Sequence, residues 1–336
     1  MQLDLTTMEQ LLDAIAAGQT ILCVSHVGPD GDAVGSLLGM YWMLDHLDKT
    51  PTAALADPVP DNLTHVPGAD RSVGPDAVAD DYDLIICLDA SSPDRMGAVF
   101  RPEVHGDIPL LVIDHHVTNT YFGRVNWVEP GCAATCQMLV YLAQADGIPL
   151  RGPLAQCLLT GIVTDTLGFR TSNTDTDVLD AAMQLMRGGA NLADITAQTL
   201  NRRRFSMVQL MGQVLPDVHL DDHVIWLAVS QAQMAAAGHD PQEDLGLSSF
   251  LISTVEADIS ATFVEKRDEA GNPVVECSFR AKPGFNVSDL AFSLGGGGHP
   301  PASGCTVPGT LDQVTAKVVP MLKAARQEQA AARAEA

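Results

Sequence analysis

The chain has 336 residues, of which 46% are apolar, and its mean hydropathy is +0.10. These values are typical of a soluble globular protein and exclude a disordered or fibrous chain, and the length favours two domains. The net charge of −23, from 42 acidic and 19 basic residues, opposes nonspecific binding to long polyanions, because such binding depends on many Lys and Arg contacts to phosphates. A short substrate is compatible with this charge.

The sequence predicts a cytoplasmic protein with reduced cysteines. No apolar run is long enough to span a bilayer, and the N-terminus lacks the basic and apolar stretches of a secretory signal. The seven cysteines are scattered, odd in number and mostly within apolar segments. We therefore expect free thiols in or near the core, and no membrane partner.

The first two-thirds of the chain alternates short apolar runs with helical patterns, which predicts βαβ units and a mostly parallel sheet with flanking helices. In chain order the predicted elements are a helix at 7–17, a strand at 20–25, a helix at 33–47, strands at 52–56, 84–88 and 110–113, and helices at 132–145, 153–163, 174–186 and 203–218. We expect an α/β domain at 1–195 and a helical linker at 196–220.

The pattern changes after residue 219 to one that predicts a smaller α+β domain with a mixed sheet at 221–336. Strands are predicted at 224–229, 258–265 and 274–280, and the last two flank a Gly-Asn turn at 268–272, which indicates a hairpin. The segment from Gln313 onward is rich in Ala, Lys, Gln and Glu. It predicts a C-terminal helix that frays at its end.

Acidic residues and histidines stand at the ends of four apolar segments, 22–26, 85–89, 111–116 and 161–165. Because ligands of an open parallel sheet bind beyond the carboxyl ends of its strands, these side chains are expected to meet in one crevice. Singly, each has an ordinary explanation, such as a helix start at Asp32 or a loop cap at Asp89, but together they favour a metal site. The residues are His26, Asp30, Asp32, Asp89, Asp114, His115, His116 and Asp165.

The ligand chemistry indicates which metal this site would bind. Carboxylates this close in sequence would repel each other in a dry crevice unless a cation neutralised them. Imidazole with several carboxylates and no thiolate favours Mn²⁺, with Mg²⁺, Co²⁺ or Fe²⁺ as lesser candidates. The number of ligands favours two ions about 3.5–4 Å apart, whose bridging water would become hydroxide and attack phosphorus.

Four of these motifs together resemble the catalytic domain of the DHH superfamily. They are His26-Val27-Gly28-Pro29-Asp30-Gly31-Asp32-Ala33, Asp89 after its apolar strand, Asp114-His115-His116, and Gly161-Ile162-Val163-Thr164-Asp165-Thr166. Segments 278–282, 285–287 and 295–304 resemble the DHHA1 domain. The layout over nearly the whole chain is similar to the branch of bifunctional oligoribonucleases and pAp phosphatases, the nanoRNase A group.

The resemblance implies a role for each site residue. The first metal ion would be held by His26, Asp30 and Asp89. The second would be held by Asp32, Asp89, His115 and Asp165, with Asp89 as the bridge. His116 would face the scissile phosphate, and Asp114 would orient the histidines.

The resemblance also implies that the second domain binds the substrate. Glycine-rich backbone can cradle phosphate through its N–H groups, with charge added by arginine and histidine. The implied substrate-binding residues are Arg280, Asn286, Gly297, Gly298, His299 and Ser303. The implied activity is hydrolysis of very short RNA or DNA oligonucleotides and conversion of pAp to AMP by a homodimer. Gly28 and the Pro300-Pro301 pair depart from the family pattern without touching an expected ligand.

Several competing interpretations remain open. A family II inorganic pyrophosphatase shares the ligand pattern but not the glycine-rich second domain, and a RecJ-like exonuclease would need an added basic module. A cyclic-dinucleotide phosphodiesterase usually carries membrane and sensor domains, and an enzyme for the linear dinucleotides pGpG or pApA is a further alternative. A non-catalytic nucleotide sensor would be expected to lack at least one ligand, and here every expected position is occupied.

Other residues have two interpretations each. Arg95 either reaches the crevice or pairs with Asp94. Phe169 either stacks on a base, beside a phosphate-binding Arg170, or lies in the core. The basic run 202–204 fits a solvated helix start better than a phosphate site. The three tryptophans are assigned to packing: Trp42, Trp127 and Trp226.

Overall fold

The computed structural model describes residues 4–241, 245–268 and 270–335. The chain forms two compact units, Met1–Arg202 and Arg203–Ala336. The predicted turn at 268–272 includes Glu269, which lies outside the described residues. No helix in the described ranges is both long and apolar enough to cross a membrane.

The first unit is built on a five-stranded sheet. Its strands are β1 (Thr20–Val24), β2 (Thr50–Ala54), β3 (Leu84–Leu88), β4 (Leu110–Asp114) and β5 (Val125–Val128). Its helices are α1 (Leu5–Ala17), α2 (Gly31–His46), α3 (Pro102–His105), α4 (Thr135–Ala145), α5 (Gly152–Asp165), α6 (Thr176–Arg187) and α7 (Leu192–Thr199). The strand order is β2-β1-β3-β4-β5 and every neighbouring pair is parallel, which confirms the predicted α/β class.

Both faces of this sheet are covered, which explains why its central strands are continuous apolar runs. All five residues of β3 are buried. Ile86 lies in the core that contains helices α1, α2, α4 and α5, whereas Ile85 packs on the opposite face with Met96 and Val99 of the β3–α3 connection. The carboxyl ends of the strands are thereby held at one edge.

Three elements of the first unit, α3, β5 and α7, were not predicted, and α3 has only four residues. β5 is only four residues long and includes a polar Asn126, so its apolar pattern is too short to detect. Helix α7 has a single buried residue, Ile195, and its apolar pattern is correspondingly weak. The expected linker region at 196–220 begins within α7, which belongs to the first unit, and contains the helix Phe205–Val214, which belongs to the second.

The second unit contains a six-stranded mixed sheet. Its strands are β6 (His219–Asp221), β7 (Val224–Val229), β8 (Ile259–Arg267), β9 (Pro273–Ala281), β10 (Gly297–His299) and β11 (Ala302–Pro308), in the order β10-β11-β9-β8-β7-β6. Its helices are α8 (Phe205–Val214), α9 (Gln231–Ala237), α10 (Leu247–Leu251), α11 (Ser288–Ser293) and α12 (Leu311–Glu335). β8 and β9 form the predicted hairpin, and β7 pairs with β8 in parallel.

Alternation along β9 divides the second sheet into two faces. Cys277 and Phe279 are buried in a core that includes Val318 of α12. On the other face, the region of β7 and β8 packs against α8, α9 and α10. The last two glycines of the run, Gly297 and Gly298, belong to the edge strand β10, which pairs with the unpredicted strand β11.

The predictions for the cysteines and tryptophans are confirmed. All seven cysteines are buried free thiols. Trp127 is fully buried, and Trp42 and Trp226 are partly buried against the two main cores. The basic run 202–204 is exposed and directly precedes α8.

Candidate metal centre

Three parallel strands end at one edge of the first sheet and bring the expected residues together. His26 lies two residues beyond β1, Asp89 follows β3 directly, and Asp114 is the last residue of β4. Helices α2 and α5 add carboxylates from their N- and C-terminal ends, respectively. The remaining members of the cluster are Asp30, Asp32, His115, His116 and Asp165.

Asp89 lies at the centre of this cluster and is only 2% exposed. Its Oδ2 is 3.6 Å from Nε2 of His26, and its Oδ1 is 3.6 Å from Nε2 of His115. Its φ of +58° is in the left-handed region, where strained residues of functional sites are often found. One carboxylate therefore faces two histidines from different strands.

The ligand atoms form two groups that can each hold an ion. His26, Asp30 and Asp89 place their nearest ligand atoms within 4.8 Å of one another, and so do Asp32, His115 and Asp165. Nε2 of His115 lies 3.3 Å from Oδ2 of Asp165. A third group, Asp89 with both histidines of the triplet, overlaps the other two. The first group has the three members that the family resemblance implies for one ion, whereas the second lacks Asp89, which the resemblance places there as a bridge.

Two histidines are oriented by backbone carbonyls. Nδ1 of His26 lies 2.9 Å from the oxygen of Val27, and Nδ1 of His115 lies 3.2 Å from the oxygen of Cys132. When each Nδ1–H donates to its carbonyl, the lone pair of Nε2 points into the cluster. This is the tautomer that a metal ligand requires.

Asp114 is paired with His116 and is fully buried. Its Oδ1 lies 2.7 Å from Nδ1 of His116, and its Oδ2 accepts a hydrogen bond from Nδ2 of Asn119. The hydrogen bond to Asp114 raises the pKa of His116, although burial acts in the opposite direction. The side chain of His116 is 34% exposed, so its imidazole can contact a ligand that enters from solvent.

Asp32 caps a helix other than its own. The N-cap of α2 is Asp30, whose Oδ1 accepts hydrogen bonds from the N–H groups of Asp32 and Ala33. The fully buried Asp32 accepts from the N–H groups of Thr135 and Cys136 at the start of α4, at 2.6 and 3.0 Å. Asp32 lies in the first turn of α2, as a helix start predicts, but it does not cap that helix, and its carboxylate links two helices.

A cation would stabilise the crowded carboxylates. Burial, followed by the charge of Asp32, raises the pKa of Asp89 well above its usual range. The same causes, together with Asp89, raise the pKa of Asp165 to about 9. Burial would lower the pKa of His26, but Asp30 and Asp89 raise it to about 10. A divalent cation would relieve this repulsion and replace the protons.

The donor set fits a hard divalent ion. Burial raises the pKa of the Cys136 thiol well above its usual range, and the charge of Asp32 adds to this effect. The pKa of Cys132 is raised by burial in the same way. No cysteine belongs to the candidate ligand groups of the described residues, so the ligands are carboxylate oxygen and imidazole nitrogen. This combination suits Mn²⁺ or Mg²⁺ better than a thiolate-seeking metal.

Glycines in α2 and α5 allow the close packing that positions the carboxylates, and their role was not predicted. A Cβ at Gly31 would collide with the side chain of Thr164, and one at Gly35 would lie 2.7 Å from the carbonyl oxygen of Cys157. A Cβ at Gly161 would collide with Sγ of Cys136 and lie 2.5 Å from Oδ1 of Asp32. The i, i+4, i+8 spacing of Gly31, Gly35 and Gly39 was the available sequence signal.

Within the second unit, two of the expected substrate-binding side chains lie on one sheet face. Ala302 of β11 pairs with Arg280 of β9 on one side and with His299 of β10 on the other. Directly opposed residues of antiparallel strands project to the same face. Arg280 and His299 therefore lie opposite the buried Phe279. The backbone of Gly297 and Gly298 forms the adjacent sheet edge.

The other two expected side chains are engaged in local hydrogen bonds. Ser303 is buried and its hydroxyl donates to the oxygen of Val287. The Asn286 side chain accepts from Ser288 and donates to Asp289, while its backbone bonds reciprocally with Gln329 of α12. Both contribute to the shape of the loop that precedes β10.

The remaining candidates have the following positions. Phe169 is partly buried against the main core, which favours the packing interpretation. Its neighbour Arg170 donates from Nε to the oxygen of Leu167. Arg95 approaches His26 rather than Asp94, with its Nη2 3.1 Å from Nδ1 of that histidine.

Comparison with known proteins agrees with this architecture. The chain is 37% identical over 309 residues to "Bifunctional oligoribonuclease and PAP phosphatase NrnA" of Thermus thermophilus, covering 92% of this chain and 90% of that protein. The protein of the same name from Bacillus subtilis is 27% identical, with 89% and 92% covered. A crystal structure of an exopolyphosphatase-related protein from Bacteroides fragilis has the same fold, with a TM-score of 0.88 at 24% identity and 97% of both chains covered.

Two family descriptions match the chain, one in the unit of each sheet. Residues 20–162 match the DHH family, N-terminal domain, and residues 231–329 match the DHHA1 domain. The first match covers β1 to β5 and most of the metal-ligand cluster, and the second covers β8 to β11. The chain belongs to the DHH family and carries a DHHA1 domain in its C-terminal unit.

Proposed function

We propose that the protein is a metal-dependent phosphoester hydrolase that cleaves very short oligoribonucleotides to mononucleotides and converts pAp (3′-phosphoadenosine 5′-phosphate) to AMP. The observation that carries this proposal is the cluster around Asp89, which has ligand atoms for two ions within reach of one solvent-exposed imidazole. Five relatives, from species of Thermus, Bacillus, Mycoplasma and Streptococcus, bear the name oligoribonuclease and PAP phosphatase, in one case marked probable.

The proposed cofactor is a pair of Mn²⁺ ions, for which Mg²⁺ or Co²⁺ would substitute. His26, Asp30 and Asp89 would hold one ion, and Asp32, Asp89, His115 and Asp165 the other. When bound, the ions would supply a hydroxide nucleophile and neutralise charge on the phosphate. The carbonyl oxygens near Nδ1 of His26 and His115 would accept its proton in the tautomer that ligation through Nε2 requires.

The exposed imidazole of His116 would face the scissile phosphate. Its hydrogen bond to Asp114 favours the protonated ring, which can donate to a phosphate oxygen and hold positive charge beside it. Asp114 is a positioning residue in this scheme because it reaches the reacting atoms only through His116.

The second unit would bind the part of the substrate away from the cut, through Arg280, His299 and the backbone of Gly297 and Gly298, with Asn286 and Ser303 shaping the loop. We propose a catalytic domain at 1–195, a linker at 196–220 and a substrate-binding domain at 221–336. The acidic surface is consistent with short RNA or DNA substrates rather than long strands. A cytoplasmic homodimer is part of the same proposal.

The alternatives receive less support. A phosphodiesterase for pGpG or pApA is not favoured, because the names of the most fully covered relatives refer to oligoribonuclease and PAP phosphatase activity. A non-catalytic sensor is opposed by the full set of ligand side chains, which the structure brings together.

The direct test is turnover by the purified full-length protein. We expect Mn²⁺-dependent release of phosphate from pAp and of mononucleotides from a labelled RNA dinucleotide, with both activities lost in excess chelator. A long single-stranded RNA of the same composition serves as the control and should be cleaved far more slowly. Absence of turnover on both short substrates in Mn²⁺ would refute the proposed function.

Arg280→Ala should weaken substrate binding without affecting the metal centre. Because a hydrogen bond to a charged group contributes about 1.5–3 kcal/mol, KM for pAp should rise roughly 10-fold or more. Affinity for Mn²⁺, measured by calorimetry, should not change. Arg267→Ala is the matched control, since Arg267 is exposed at the far end of β8 and donates to the oxygen of Gly271. Loss of Mn²⁺ binding in Arg280→Ala would contradict the division of roles.

A further inference from the structure

Arg95 is held beside the candidate metal centre by a rigid connection between β3 and α3. Its carbonyl oxygen accepts a hydrogen bond from the N–H of Val27 at 2.7 Å, and the following Met96 is fully buried. Gly97 has a φ of +60°, and a Cβ there would lie 2.6 Å from Cγ1 of Val27. The backbone of Arg95 is therefore fixed against the loop that carries His26, while its side chain is exposed.

The hydrogen bond between Arg95 and His26 is incompatible with metal ligation by that histidine. Nη2 of Arg95 lies 3.1 Å from Nδ1 of His26, and a guanidinium can only donate. If Nε2 of His26 binds a metal ion, Nδ1 must carry the proton and donate to the oxygen of Val27, 2.9 Å away. Arg95 then has no acceptor on His26.

No carboxylate in the described part of the chain accepts a hydrogen bond from Arg95 in place of His26. Within the described residues Arg95 makes no ion pair, not even with the adjacent Asp94, and its bond to His26 is its one side-chain hydrogen bond. A planar guanidinium with five donors matches phosphate oxygens in geometry and charge.

We propose that Arg95 is a catalytic residue that binds a non-bridging oxygen of the phosphate at the metal centre. This inference rests on the proposed function, because it places the phosphate on the His26 side of the cluster. The guanidinium would stabilise the negative charge that develops on phosphorus oxygens, in the manner of arginines in other phosphoryl-transfer sites. It would act together with the exposed imidazole of His116.

The test compares Arg95→Ala and Arg95→Lys with the wild-type full-length protein. With Mn²⁺ present, the Kd for inorganic phosphate, measured by calorimetry, should rise about 10-fold or more in Arg95→Ala and less in Arg95→Lys. The kcat/KM for pAp should fall roughly 100-fold or more in Arg95→Ala. Affinity for Mn²⁺ alone should match that of wild type in both variants.

Arg124→Ala is the matched control, because Arg124 is an exposed arginine of the same unit at the opposite, N-terminal edge of the sheet. It should leave phosphate binding and turnover unchanged. Wild-type phosphate affinity in Arg95→Ala would overturn the proposal, and so would a loss of Mn²⁺ affinity, which would make Arg95 a support for His26. Phosphate binding is measured without turnover, so a failure of the proposed function is detected separately.

Discussion

Asp89→Asn should abolish hydrolysis of both pAp and RNA dinucleotides while the protein stays folded. Removal of a single charge-stabilising group from an active site typically costs ~10²–10³-fold in kcat, and Asp89 faces both ligand groups, so the loss should exceed ~10³-fold. Mn²⁺ should no longer raise the melting temperature. Asn is chosen because it tolerates the φ of +58° and can keep the hydrogen bond from Thr135.

The melting temperature without metal distinguishes loss of the metal ligand from loss of folding in Asp89→Asn. Burial and Asp32 raise the pKa of Asp89, so its ionisation in the fold is costly when no cation is bound. In chelator near pH 8, Asp89→Asn should therefore melt at or above the wild-type temperature. Asp89→Ala should be equally inactive but less stable, because Ala in a left-handed conformation costs about 1–2 kcal/mol.

Asp83→Asn is the control from the other end of β3. Oδ2 of Asp83 accepts hydrogen bonds from the N–H groups of Gln19 and Thr20, so this variant should lose stability and keep its specific activity. The metal assignment fails if Asp89→Asn turns over pAp at a near-native rate in Mn²⁺.

Gly161→Ala should damage the metal centre from inside helix α5. The added Cβ would collide with Sγ of Cys136 and with Oδ1 of Asp32, which are both fully buried and cannot move aside freely. Overpacking of this kind costs about 1–3 kcal/mol. Because Asp32 must shift, affinity for Mn²⁺ should fall ~10–100-fold, the range seen when groups that orient metal ligands are removed.

Gly212→Ala is the matched control, since Gly212 lies within helix α8 and a Cβ there would meet no atom within 4 Å. Its helix propensity should raise stability by up to about 1 kcal/mol, with wild-type metal affinity. Calorimetric titration of Mn²⁺ and thermal melting measure both variants. Unchanged Mn²⁺ affinity in Gly161→Ala would mean that α5 does not position Asp32.

The cluster was predictable from sequence because parallel topology makes strand ends meet. An apolar run followed by Asp or His is visible locally, and the sheet brings three such runs together, as β1, β3 and β4 show for His26, Asp89 and Asp114. The fourth run is the end of helix α5, which supplies Asp165. For these three strand ends the rule for parallel sheets was sufficient, and no pairwise contact had to be known.

Contacts between elements distant in sequence were not predictable in this way. Asp32 accepts hydrogen bonds from residues 103 and 104 positions later, and nothing in its own segment indicates that α4 begins there. Likewise, the packing role of Gly161 depends on the crossing of α2, α4 and α5. A glycine within a helix signals close approach, but the partner is known only from the fold.

In the second unit, too, some features were predictable from local sequence and others only from strand pairing. The hairpin of β8 and β9 was readable from alternation and turn residues, whereas β11 contains Gly304 and ends at Pro308, which weaken a strand pattern. Only the β9–β11 register reveals that Arg280 shares a face with His299 and that Ser303 lies on the buried side. The sequence motifs identified the residue types, and the strand pairing showed which face of the sheet each side chain lies on.

The central claim is that these side chains bind two divalent ions at the edge of the first sheet. Diffraction from crystals soaked in Mn²⁺, recorded at the manganese absorption edge, tests it directly. We expect two anomalous peaks about 3.5–4 Å apart, one between His26 and Asp89 and the other between His115 and Asp165. Crystals that bind manganese only elsewhere, or not at all, would contradict the account.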